Sequence, residues 1–197
     1  MKRSLAPLFA ALLLVASPAA AQFSDSYSFL KSVRDRDVLK AKSFLDKPGS
    51  TLVNARDADT GETALHITIK RKDLPWTSFL LQNGADPNAR DKDGATALMQ
   101  AAVSGYPEAV RLLLASKAQV DAVNGRGETA LIIAVHNRDS ASVRFLLDAG
   151  ADPDRADNLA GLSARDYAAR DQRNSSVGKM LAEAPKKLVK KSVGPTL

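Results

Sequence analysis

The chain has 197 residues, of which 45% are apolar, 25% charged and 5% aromatic, with a formal net charge of +6. That length holds one ordinary core or a short repeat array, and so few aromatics argue against a β-sandwich or barrel and for helices rich in alanine and leucine. The absence of cysteine excludes disulfide support, thiol chemistry, a cysteine-ligated zinc and a haem attachment motif.

The amino terminus reads differently from the rest. Lys2 and Arg3 give a positive start, Leu5 to Ala16 an apolar stretch interrupted by Pro7, and Ser17, Pro18 and Ala19-Ala20-Ala21 a small-residue finish. That order is the layout of a secretory signal peptide, so residues 1–21 are expected to be a leader cut between Ala21 and Gln22. The competing reading is an uncleaved anchor, but the apolar stretch falls short of the ~20 residues that cross a bilayer. The short apolar region and the A-x-A ending suit a bacterial leader. The expected destination is the periplasm, with secretion beyond it as the alternative.

The net charge misleads. Lys2 and Arg3 leave with the leader, and Lys186, Lys187, Lys190 and Lys191 lie in a tail, residues 185–197, that contains no acid. Without these six residues the body, 22–184, carries equal numbers of acidic and basic groups. A nucleic-acid-binding domain carries its positive charge on the folded face, so no nucleic acid partner is expected. The tail is read either as a disordered solubilising end or as a weak contact to an anionic surface, where each lysine contributes about 1 kcal/mol.

From residue 26 the chain divides into five units, 26–56, 57–90, 91–123, 124–156 and 157–184. Their marker is a six-residue phrase: GETALH from Gly61, GATALM from Gly94, GETALI from Gly127 and a weaker GLSARD from Gly161, at intervals of 33, 33 and 34 residues. The first unit keeps an outline only. Phe29, Leu30 and Val33 are expected on one helix, and Val38, Leu39, Ala41, Phe44 and Leu45 on a second, with KPGSTL lengthening the loop that follows.

The unit from Asp91 shows the physics most plainly. Gly94 follows an aspartate-rich turn where positive φ is useful. Thr96 caps the next helix, and Ala97, Leu98, Ala101 and Ala102 form its apolar face, small enough for close approach. Gly105 ends that helix in the left-handed region. Pro107 opens a second helix, where its missing N–H costs nothing, and Val110, Leu113 and Leu114 give that helix its stripe. Asp57–Gly61 and Asp157–Gly161 carry one residue more than Asp91–Gly94, so these turns are expected to bulge and to pair less well. In the last unit Gly161, Ser163, Tyr167 and Ala168 are retained, and the second helix, about Ser176–Glu183, is expected to be short and polar.

A 33-residue period with a turn, two helical stretches and a T-x-L-H-like phrase resembles the ankyrin repeat, over about residues 26–184. The resemblance implies an all-α repeat solenoid, an array of about five helix-turn-helix units with β-turn fingers and degenerate end units. One unit cannot bury its apolar face alone, and stacking makes a continuous core. The repeated phrase is therefore structural. In the family the histidine of this phrase bonds to the nearby threonine, here His66 and Thr63. Met99, Ile132 and Asp166 stand at its other positions, so the bond is not expected to recur.

Little in the chain reads as catalytic. The turn aspartates Asp57, Asp59, Asp91, Asp93, Asp152, Asp154 and Asp157 are expected to be exposed, whereas acid–base work needs a carboxyl raised by burial. Asp152-Pro153-Asp154 lacks the calcium-loop spacing. No GxSxG, GxxxxGK[ST] or HExxH occurs. No enzyme activity, metal or cofactor is expected. Trp76 is placed on a second helix, partly buried, with an exposed partner anchor as the alternative.

The resemblance implies that the concave surface binds a protein. Carried over position by position, the finger candidates are Asp59, Thr60 and Glu62, then Lys92, Asp93 and Ala95, then Gly125, Arg126 and Glu128. The late first-helix candidates are Lys70 and Arg71, Val103 and Ser104, and His136 and Asn137. A basic bias at Lys70, Arg71, Lys92 and Arg126 suggests a partner with an acidic patch. The expected function is a non-catalytic, monomeric interaction module in the periplasm, an adaptor or an accessory, protective subunit. The alternatives are an envelope-surface protein held on anionic lipid or cell-wall polymer by its tail, and an exported effector.

Overall fold

The computed structural model describes residues 18–171 and 175–185, with side chains from residue 25 to 171 and from 176 to 185. Ten α-helices run in chain order among the described residues: α1 Pro18–Arg34, α2 Val38–Leu45, α3 Ala64–Lys70, α4 Leu74–Gln82, α5 Ala97–Val103, α6 Pro107–Ala115, α7 Ala130–His136, α8 Ser140–Asp148, α9 Ala164–Arg170 and α10 Ser175–Glu183. A 3-10 turn, Leu52–Asn54, follows α2. Consecutive helices pair, α1 with α2 through α9 with α10. The odd-numbered helices stack as one row and α4, α6, α8 and α10 as a second. This is an all-α repeat solenoid. No described helix is long and apolar enough to cross a membrane.

The repeated phrase supplies the stacking surface. Ala64, Ala97, Ala130 and Ala164 are buried at the start of each short first helix, and Leu65, Leu98 and Leu131 are buried one residue later. Each leucine removed from water in this way contributes about 1.5–3 kcal/mol. Thr96 Oγ1 accepts from Met99 N–H and Thr129 Oγ1 from Ile132 N–H, so the expected caps form. Asp37, Asp73 and Asp139 cap α2, α4 and α8 in the same way. The chain reverses within the first four pairs through a left-handed residue, Gly105 as expected, but also Arg36, Lys72 and Arg138 with φ near +60°. The cations accept that strain, and Arg138 and Lys72 then reach the next unit, to Asp171 and to the Gly105 carbonyl.

Four fingers precede α3, α5, α7 and α9. A single side chain organises each: Asp57, Asp91, Asn124 and Asp157 accept backbone N–H groups of their own turn through Oδ1. The expected bulge at the longer turns is not a defect in pairing. Asp57 and Asp157 absorb the extra residue, Asp157 by accepting from Leu159, Ala160 and Gly161 together. Adjacent fingers bond at every junction, Lys92 N–H to Thr60 C=O at 3.0 Å, Gly125 to Asp93 at 2.8 Å and Asn158 to Arg126 at 2.9 Å. Gly127 is needed for two reasons: its φ is +77° and an added Cβ would lie 2.7 Å from Asn158 N.

Other expectations need correction. Asp157 is buried, not exposed, because Tyr167 Oη donates to its Oδ2 across 2.5 Å. Asp166 does reproduce the His66 pattern, accepting from both the hydroxyl and the N–H of Ser163. A carboxylate, like an imidazole nitrogen, can take both donors of a helix start. α10 has nine residues, as α4, α6 and α8 do, and buries Val177 and Leu181. At the other end Val38 and Leu39 are exposed, with only Ala41 of α2 fully buried. Among the described residues no helix pair precedes them to cover that face. Trp76 is 7% exposed and meets Phe79 edge to face, so it is a core residue, not a partly exposed one.

Candidate functional site

Stacking the units aligns the fingers with the inner faces of the odd-numbered helices, and an open groove of about 880 Å³ lies between them. The first finger gives it Asp59, Thr60 and Glu62, the second Asp91, Lys92, Asp93 and Ala95, and the third Asn124, Gly125 and Arg126. Lys70 stands at one end, and Met99, Gln100, Val103 and Ile133 form the floor. Val103 is 57% exposed there, a large apolar side chain in a polar surround.

The structure therefore brings Asp59, Thr60, Glu62, Lys70, Lys92, Asp93, Ala95, Val103 and Arg126 to one surface. The other sequence candidates serve the array itself. Arg71 donates to the Val33 and Arg34 carbonyls of the preceding unit and pairs with Asp73. Asn137 repeats that contact, donating to the Ala102 and Val103 carbonyls. Ser104 accepts from Gln100 within one turn. Glu128 braces the third finger, accepting from Asn124 and Arg126. His136 is exposed, and its ring lies 4.3 Å from that of Tyr167 in the last unit.

The expected basic bias is not presented to a partner. Lys70 is paired with Glu62, Arg126 with Glu128 at 2.8 Å, and Arg71 with Asp73 at 3.2 Å. Lys92, Asp59 and Asp93 are exposed and make no ion pair among the described residues. The groove is thus a mixed polar strip around an apolar centre.

Of the floor, sequence reasoning named Val103 and missed Met99, Gln100 and Ile133. Met99, Gln100 and Val103 share one helix face by their i, i+1, i+4 spacing, a signal that the focus on late-helix positions passed over. It also missed a ladder beneath the fingers. Asn54, Asn88 and Asp121 accept the backbone N–H groups of Asp86, Gln119 and Asp152, each across 2.7 Å. The recurrence of an Asn or Asp in VNARD, PNARD and VDAVN was its visible sign.

His66 is fully buried and holds two units together. Its Nδ1 accepts from Thr63 N–H at 3.2 Å, and its Nε2 lies 3.2 Å from the Ala95 carbonyl of the second finger. This pattern assigns the neutral imidazole with its proton on Nε2, and burial holds its pKa below the ordinary value. Asp57 is held down to about 2, chiefly by the Thr60 N–H and then by the Arg34 guanidinium at 2.6 Å. Asp157 is lowered first by the Tyr167 hydroxyl, and Asp166 first by the Ser163 hydroxyl. Each of these shifts has a structural cause, and none is a carboxyl raised for acid catalysis. The described side chains form no cluster of three metal-ligating groups.

A stacked helix-pair solenoid with hydrogen-bonded fingers and a concave groove defines a class of binding scaffolds. Family models for ankyrin repeats match residues 33–124 and 115–168, and the chain belongs to the ankyrin repeat family. It is 34% identical over 142 residues to an ankyrin repeat-containing protein of Treponema pallidum (strain Nichols), covering 72% of this chain and 46% of that one. It is also 34% identical over 123 residues to XBOS33 of Oryza sativa subsp. japonica, whose name designates an E3 ubiquitin-protein ligase, covering 60% of this chain and 23% of that one. The chain spans less than half the length of either relative. Ankyrin repeats are protein–protein interaction modules, generally without catalysis of their own.

Proposed function

We propose that this chain is a non-catalytic adaptor or accessory subunit of the bacterial periplasm, binding one envelope protein through its concave groove. The observation that carries the reading is Val103, more than half exposed on a floor of buried Met99 and Ile133 and walled by three fingers. An apolar anchor within a polar rim is the arrangement that supports a binding hot spot. The preferred partner presents an apolar side chain flanked by both signs of charge, so that Lys92 and the Asp59 and Asp93 carboxylates each find an opposite group.

Export follows from the leader pattern. Residues 1–17 and the tail lysines Lys186, Lys187, Lys190 and Lys191 lie outside the described residues. The expected cut between Ala21 and Gln22 falls within α1 and keeps the buried Phe29, Leu30 and Val33. Amino-terminal sequencing of the protein from a periplasmic fraction is expected to begin at Gln22, and an intact Met1 in the cytoplasmic fraction would contradict export.

The binding test is a crosslinked pull-down from periplasmic extract with two baits, the native sequence and Val103→Asp/Lys92→Glu. Both substituted side chains are exposed, so the second bait keeps its fold. One protein captured by the first bait and lost with the second supports the concave site. Equal capture by both moves the site elsewhere. Loss only on removal of residues 185–197 would instead support the tail as a surface anchor.

A further inference from the structure

The finger ladder has a direction, and its first rung is open. At each junction the later finger donates one N–H to the earlier one, from Lys92, Gly125 and Asn158 in turn. The residue that occupies this position in the first finger is Ala58. No finger precedes it, because α1 arrives as a helix of 17 residues with no turn before it among the described residues. Ala58 N–H accordingly has no partner among the described residues, and Ala58 itself is exposed.

A groove of about 540 Å³ lies beside this donor. Tyr27 and Leu30 of α1, Leu52 of the 3-10 turn, and Ala55 and Ala58 of the finger line it. Tyr27 is 65% exposed at its rim. The Arg34–Asp57 pair, 2.6 Å apart, ties finger to helix on one side. This is the slot a preceding finger would fill in a longer array. It touches the concave groove at the first finger but shares no lining residue with it.

We propose that this edge is a second binding site, which takes an extended, apolar peptide segment of another protein as one more rung of the ladder. Continuity with the ladder fixes the chemistry of the occupant. It must offer a free backbone carbonyl to Ala58, with an apolar side chain next to it for the Tyr27–Leu30–Leu52 surface. A helix satisfies its own carbonyls except at its end, whereas an extended segment directs alternate carbonyls sideways, as in strand addition. A second copy of this chain fits badly. Its last finger offers the carbonyl of Ala160, which has no partner among the described residues, and an exposed Leu159. In ladder register, however, the α9 and α10 behind that finger would occupy the place of α1 and α2.

The test pans a phage-displayed random dodecapeptide library over the immobilised full-length protein and titrates the strongest peptide into purified variants. Ala58→Pro deletes the donor, and Tyr27→Glu breaks the apolar rim at an exposed position. Val103→Asp/Lys92→Glu alters only the concave groove. The expected result is a peptide with an apolar residue whose affinity falls about fivefold in Ala58→Pro, the value of one backbone hydrogen bond. In Tyr27→Glu it is expected to fall about tenfold, as for loss of an aromatic contact. The concave-groove variant binds it unchanged. The Ala58 amide of the unsubstituted protein, read by hydrogen exchange, becomes protected when the peptide is added, a readout independent of any variant. The proposal fails if no peptide is selected, or if the peptide ignores both edge variants. It fails if the Ala58 amide is already protected before any peptide is added, which would mean that the protein fills the edge itself. It also fails if sedimentation shows a dimer abolished by Tyr27→Glu, which would make a second copy the occupant. Binding lost only in the concave-groove variant would overturn this site while leaving the proposed function standing.

Discussion

At its amino-terminal end the array presents, among the described residues, a long helix without a finger, and α2 leaves Leu39 83% exposed and Val38 45% exposed. At its carboxy-terminal end it presents a complete finger and a helix pair of the same lengths as the central pairs. The last unit closes by chemistry rather than by bulk. Where the central units place a buried leucine, it has Arg165, which pairs with Asp154 at 2.7 Å and donates to the carbonyls of Leu181 and Ala184 at the end of α10. Tyr167 and Asp157 then lock the finger to α9. A repeat array must end somewhere, and its terminal faces must be wettable. Among the described residues, this one is covered at the carboxy-terminal side and leaves apolar surface and an unpaired donor at the other.

The strongest way to break that comparison is to remove buried bulk from one end and exposed bulk from the other. Leu181→Ala is expected to cost about 2–5 kcal/mol, measured by urea denaturation, because Leu181 is wholly buried. Leu39→Ala should stay within about 0.5 kcal/mol, as for a surface change away from any packing. Equal losses would mean that the two ends are built alike. The glycines sharpen the point. Gly127→Ala and Gly161→Ala both meet positive φ, worth about 1–2 kcal/mol. Only Gly127 also meets a neighbour, Asn158, whereas a Cβ at Gly161 enters open space. The first variant is therefore expected to lose about 1–3 kcal/mol more than the second, the usual cost of forced overpacking. Tyr167→Phe removes a hydroxyl from a buried carboxylate and is expected to lower stability by about 1.5–3 kcal/mol, with no change in Tyr27→Phe, whose side chain is exposed.

The smallest effect is pH dependence at the first junction. His66 has a lowered pKa in the fold, so on acidification the unfolded chain takes up a proton before the folded chain does. Its contribution is complete above the unfolded value of about 6.5 and declines as pH falls below it. The thermal midpoint is expected to drop between pH 7 and 5, and by less in His66→Gln. Asp57 acts in a separate window. Its depressed carboxyl stabilises the fold above the unfolded value near 4, and this is lost as pH falls toward about 2. Asp57→Asn should reduce the slope in that range, where the lowered Asp157 and Asp166 carboxyls also contribute, and leave the range above it unchanged.

The central units were legible in the sequence because each of their residues answers a local rule repeated in register. Thr96 caps, Gly94 turns, Leu98 packs, and the copies confirm one another. The ends were harder because their interactions are not repeated. Ser163 and Asp166 do carry the S-x-x-D spacing of a capping box, but nothing in LSARD announces that Arg165 will reach the carbonyls of α10. Periodicity places Val38 and Leu39 on a helix face but does not say that no neighbour covers it. The finger strip was read in outline. Its charges were misjudged because the pairing of Lys70 with Glu62, eight residues away, depends on how the finger folds over the helix.

The concave site is tested most directly by hydrogen–deuterium exchange on the protein alone and bound to a partner captured in the pull-down. The account predicts added protection in the second and third fingers and in α5 and α7, around residues 91–104 and 124–133, with α4, α6 and α8 unchanged. Protection confined to α4, α6 and α8, or absent from both fingers, would contradict it.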